Sequence, residues 1–100
     1  MGVPMELVIF ARFHAREGLE AEVAAALCEQ VRKARAEPGC RAIGAFRSTR
    51  DPRSFFIHSR WENEEAFDAH AMLPNTQRFV DTMQALIDHP FEAARAREIG

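Results

Sequence analysis

Near the start of the chain every odd position is apolar, Leu7, Ile9, Ala11 and Phe13, while the even positions pass from Val8 and Phe10 to Arg12 and His14. Neighbouring side chains of a strand point to opposite sides, so this alternation predicts a strand over residues 5–14 that needs cover on both faces at its beginning. From Gly18 the period becomes helical. Leu19, Val23, Leu27, Val31 and Ala34 form one stripe within residues 19–37, and Glu20, Glu22, Glu29, Arg32 and Lys33 occupy the other faces. Acidic residues come early and basic ones late, as the helix dipole favours, and Pro38-Gly39 ends the segment. Strands follow over residues 40–49 and 54–62, joined by Arg50-Asp51-Pro52-Arg53, in which proline presets φ and aspartate can bond the backbone ahead. The second of them places Phe55, Ile57, Ser59 and Trp61 on one side and Phe56, His58, Arg60 and Glu62 on the other. Asn63 is a good N-cap for a short helix to about Met72, with Glu64 and Glu65 in its first turn. Beyond Pro74, the residues Phe79, Met83, Leu86 and Ile87 make a further stripe, closed by His89-Pro90. Residues 91–98 read as a last strand, polar enough to be an edge.

The order β-α-β-β-α-β, with the second helical region broken near Leu73-Pro74, predicts an α+β ferredoxin-like fold: a four-stranded antiparallel sheet with helices on one face. Residues 1–100 are expected to form a single domain, since a chain of 100 residues buries roughly 65% of its extended surface and has little core to spare. The open face would carry Val8, Phe10 and Phe56 with His58 beside them. That face is too apolar for water, so a homodimer with these four residues in its interface is expected.

Composition narrows the function classes. The chain is 47% hydrophobic and 28% charged, which excludes a disordered or collagen-like polymer. Thirteen Lys and Arg against fifteen Asp and Glu leave a net charge of −2, no electrostatic footprint for nucleic acid or an anionic membrane. No apolar run approaches the ~20 residues of a membrane span, and the first residues lack the pattern of a signal peptide, so a cytoplasmic protein is expected. Cys28 and Cys40 lack CxxC spacing and read as small buried hydrophobes.

Gly39-Cys40 at the start of the second strand, the Asp51-Pro52 turn and the run FFIHSRWENEEAF from Phe55 to Phe67 form a diffuse motif that His70, Pro74 and Phe79 continue. In these residues the chain resembles the antibiotic biosynthesis monooxygenase family of the dimeric α/β-barrel superfamily. The resemblance covers nearly the whole chain and implies a dimeric α/β barrel. The family includes cofactor-independent oxygenases of quinols and polyketide anthrones, haem-degrading enzymes, and an isomerase of a signalling sugar derivative. Two departures bear on chemistry. Many members carry a glutamate where Ser59 stands, and a hydroxyl cannot act as a carboxylate base. The haem-degrading members use an asparagine on the first strand, a tryptophan where His70 stands and a histidine where this chain has Val80. Haem degradation by that triad is not expected here.

His70 shares a helix face with Phe67. Its imidazole could take a phenolic or carbon-acid proton at neutral pH, or could simply be satisfied by a carbonyl at the helix end. Trp61, on the helix side of its strand with Ser59, could stack on an aromatic substrate and donate its N–H, or could be a core aromatic. Arg12, His14, His58 and Arg60 share the open face, either as an anion-binding cluster or as a polar seam paired with Glu6, Glu62 or Glu92. His89 reads as a surface turn residue. Histidines at 14, 58, 70 and 89 show no HxH, HxxxH or HxxE spacing, so no metal site is expected. No Gly-rich phosphate loop or GxSxG elbow occurs, so no cofactor is expected. The family resemblance implies a cofactor-independent monooxygenase that oxidises a small aromatic quinol or anthrone with dioxygen. His70 would be the base, Trp61 and Ser59 the N–H and O–H contacts, and Phe13, Phe67 and Phe79 the walls. The alternatives are a non-catalytic small-molecule binding or sensing module, and an isomerase or lyase of a small lactone or keto compound.

Overall fold

The computed structural model describes residues 6–100, so the expected strand start at Met5 lies outside the described residues. The elements are β1 (Leu7–His14), α1 (Glu20–Ala34), β2 (Cys40–Arg47), β3 (Ser54–Trp61), α2 (Glu64–Met72), α3 (Pro74–Leu86) and β4 (Glu92–Ala96). The strands form one antiparallel sheet in the order β2-β3-β1-β4, a ferredoxin-like arrangement in which β4 is an edge. Among the described residues no helix is long and apolar enough to cross a membrane.

Local chemistry explains the boundaries. Helix α1 stops at Ala34, short of the expected 37, and its last turn tightens ahead of Pro38, with the Ala36 N–H donating to the Lys33 carbonyl and the Glu37 N–H to that of Ala34. Strand β2 stops at Arg47 because Ser48 Oγ accepts from the N–H groups of Arg50 and Asp51 and turns the chain. Asn63 caps α2 by accepting from the Ala66 N–H at 2.8 Å. Leu73 adopts an extended conformation ahead of Pro74, which separates α2 from α3. Gly39 sits at φ +83°, and a Cβ there would lie 2.6 Å from the Ala66 Cβ, so both its backbone and its close approach to α2 call for glycine.

On the helix side, Ala11, Phe13, Phe55 and Ile57 pack with Val23, Leu27 and Met83, while Leu7, Ile9 and Trp61 form a second buried group. The other side corrects the expectation in part. Phe10 is 55% exposed, but Val8 is only 3% exposed within the single chain. Val8 stands in register between Arg60 and Ala96, and Arg60 is held there by ion pairs to Glu6 and Glu98. Phe56 is half-buried with the Arg12 guanidinium over its ring at 5.7 Å, and His58 tilts against Phe10 at 5.2 Å. Phe46, in register with Phe56, is also 55% exposed and was not among the expected interface residues. Cys28 is exposed rather than buried, because it follows Leu27 by one residue and so turns ~100° off the buried stripe of α1; Cys40 is half-buried.

Candidate functional site

A cavity of about 280 Å³ lies between the sheet and the helices. Its sheet wall comes from inward residues of β1 and β3, among them Phe13 and Ser59. Its helix wall includes Phe67 and His70 of α2 and Phe79 of α3. The two-residue repeat of the strands and the three-to-four-residue repeat of the helices aim these side chains at one another. Exposed lining residues, Gln77 and Ala93, mark the side towards edge strand β4 as the mouth.

Five of the six expected site residues, Phe13, Ser59, Phe67, His70 and Phe79, therefore line one cavity. Trp61 does not. Its indole is fully buried behind the wall, against His70 (ring centroids 4.6 Å apart) and Phe67 (5.7 Å). Its N–H donates to Ser59 Oγ at 3.0 Å, so it is not free for a substrate. That bond leaves the Ser59 hydroxyl hydrogen available to the cavity, making Ser59 the contact and Trp61 its support.

His70 is buried, and its Nδ1 lies 2.6 Å from Glu37 Oε1. This partner is neither the carbonyl nor the solvent that a histidine near a helix end usually finds. With Glu37 ionised, its carboxylate accepts the Nδ1–H and fixes the tautomer, leaving the Nε2 lone pair as the basic position. Glu37 is not part of the cavity lining, whereas His70 is. Glu37 escaped the reading of the sequence because it looked like one more solvated acid near the end of α1. The turn at Pro38-Gly39 is what carries it back to α2. Two further buried polar residues that the sequence did not single out line the cavity, Gln30 of α1 and Thr76 of α3. Thr76 Oγ1 has no hydrogen-bond partner among the described residues, an unmet group that a ligand oxygen could satisfy.

The family model described as antibiotic biosynthesis monooxygenase matches residues 7–82. The chain belongs to the antibiotic biosynthesis monooxygenase family. Solved structures agree on the fold. A protein from Shewanella oneidensis is 24% identical with a TM-score of 0.90, over 96% of this chain and 93% of that one. One from Mycobacterium tuberculosis is 21% identical with a TM-score of 0.88, over 95% and 96%. A structure named as an antibiotic biosynthesis monooxygenase is 23% identical with a TM-score of 0.87, over 94% and 99%. None of the curated proteins matches the chain. Of the two buried side-chain atoms without a partner among the described residues, Thr76 Oγ1 belongs to a cavity-lining residue and Glu37 Oε2 does not. On the open face Arg60 is paired with Glu6 and Glu98, and His14 with Asp51 and Asp88. The Asp88 carboxylate, and after it Asp51, hold the His14 imidazole above its ordinary pKa. His14 and Arg60 are therefore already held by carboxylates, while Arg12 lies over the Phe56 ring and His58 against Phe10.

Proposed function

We propose that this family member is a cofactor-independent monooxygenase of small aromatic quinol- or anthrone-type substrates. The observation that carries the reading is a buried imidazole in the wall of an apolar cavity, with a carboxylate on its Nδ1. The volume sits at the lower bound of the ~300–1,000 Å³ usual for ligand sites, which suits a compact aromatic. Phe13, Phe67 and Phe79 supply ring faces, and the hydroxyls of Ser59 and Thr76 supply donors for a ketone or phenolate oxygen.

For an anthrone-type substrate, His70 Nε2 takes a proton from the activated methylene, and Glu37 stabilises the imidazolium. The resulting enolate gives one electron to dioxygen. Superoxide and the organic radical then combine, forming a C–O bond and, after protonation, a hydroperoxide. Loss of the remaining C–H proton with cleavage of the O–O bond leaves a carbonyl. The departing hydroxide leaves as water with the proton returned by His70. The sum is CH₂ plus O₂ giving C=O plus H₂O, with the substrate as the only reductant, so no flavin or metal enters the balance. The protein orients the ring, excludes water and steadies the anion.

Oxygen uptake by chelator-treated protein, measured over a panel of hydroquinones and anthrones, tests the proposal. Turnover should fall by about 10²–10⁴ in His70→Ala. Glu37→Gln should lower it less and shift the pH profile of kcat. No uptake with any member of the panel overturns the oxygenase reading. Saturable binding without uptake, unchanged in His70→Ala beyond packing loss, would identify a non-catalytic binding module. Product formation without oxygen consumption would identify an isomerase or lyase.

The same proposal includes a homodimer closed through the open sheet face. Phe10 and Phe46, each 55% exposed, and half-buried Phe56 support it, since one flat apolar patch can cover its own copy.

A further inference from the structure

We propose a divalent transition-metal site at the opposite end of β1 from Val8, built from His14, Asp88 and His89 and independent of the His70 cavity. Sequence spacing gave no reason to expect it, because the two histidines come from the end of β1 and from the turn between α3 and β4. The fold places one ligand atom from each of the three residues within 4.8 Å of one another. His14 Nδ1 lies 2.7 Å from Asp88 Oδ2, His89 Nδ1 lies 2.5 Å from Asp88 Oδ1, and the two imidazoles stack with centroids 5.9 Å apart. Ligands around a zinc ion with bonds of ~2.0–2.2 Å stand roughly 3.3 Å apart, so small side-chain rotations suffice to admit one.

The surrounding groups are the stronger argument. A metal-bound imidazole usually donates its other N–H to a carboxylate, and a metal-bound carboxylate usually accepts a further hydrogen bond. Both supports are in place. Asp51 Oδ2 is 3.0 Å from His14 Nε2, the nitrogen that would not bind the metal. Arg53, anchored through its Nε to the Ala15 carbonyl at 2.9 Å, donates to Asp88 Oδ2 at 3.2 Å. Two neutral imidazoles and a carboxylate with no thiolate form a donor set for zinc, cobalt or nickel rather than for calcium or magnesium. Asp88 and His89 also line a surface cleft of about 380 Å³, which leaves room for water on the remaining coordination positions. The metal would tie the end of β1 to the turn between α3 and β4 beside Phe91, which stacks on Phe13 at 4.9 Å and lines both the cleft and the His70 cavity.

Calorimetric titration of the chelator-treated full chain with zinc chloride, and visible spectra with cobalt(II), provide the test. Wild type should bind zinc at a single site, show cobalt bands typical of nitrogen and oxygen ligands, and gain several degrees in Tm with zinc. His14→Gln and His89→Ala should each weaken binding about tenfold or more, and Asp51→Asn by about 10–100-fold. His58→Gln should bind as wild type does. His89 is 57% exposed, so His89→Ala keeps the test decisive if the change at His14 disturbs folding. Absence of zinc binding by wild type overturns the site, and so does unchanged affinity in His89→Ala.

Discussion

The two sides of the sheet are made from alternate residues of the same strands, yet their polar groups behave differently. On the helix side, Ser59, His70 and Thr76 are buried among aromatic and aliphatic groups and line one cavity. On the open side, charged groups pair with one another across strands, as Arg60 does with Glu6 and Glu98, and large apolar rings remain half in water. Two histidines make the contrast plain. His58 and His70 both lie against aromatic rings, but only His70 has a carboxylate on one nitrogen and a cavity beside it. Cover, rather than residue type, separates a candidate base from a surface imidazole.

The comparison breaks most readily at Trp61. Trp61→Ala removes a fully buried indole together with the support of Ser59, and should cost ~3–5 kcal/mol of stability in urea unfolding. Against a total of ~5–15 kcal/mol, that is a large share. A loss below ~1 kcal/mol would mean that the helix side collapses around the gap and is not a rigid wall. The next effect belongs to the open side. Phe10→Asp should leave the chain folded, because the ring is already half in water, but should move a dimer towards monomer in sedimentation at micromolar concentration. A wild-type protein that sediments as a stable monomer would show that the patch has another role. The smallest effect sharpens the contrast by avoiding both sides. Glu22→Ala, on the exposed face of α1, should change stability by no more than ~0.5 kcal/mol.

What the sequence by itself determined was local. Alternation in Leu7 to Phe13, the helical stripe at Val23, Leu27 and Val31, the Asn63 cap and the Leu73-Pro74 break were legible because neighbouring residues settle backbone conformation. The side on which each strand residue lies followed from the same repeat, whereas the choice of His70, Ser59, Phe13, Phe67 and Phe79 as site residues rested also on the family resemblance. Only the tertiary structure decided which polar atoms meet. Glu37 reaches His70 because a positive-φ glycine packs a turn tightly against α2. Trp61 turns its N–H to Ser59, and His14 finds Asp88 and His89, across loops whose lengths say little about where they end. Val8 is buried although its strand position points it at the open face, where its register partner Arg60 is ion-paired to Glu6. Periodicity encodes direction within an element. Distances between elements are set by packing, which depends on every side chain at once.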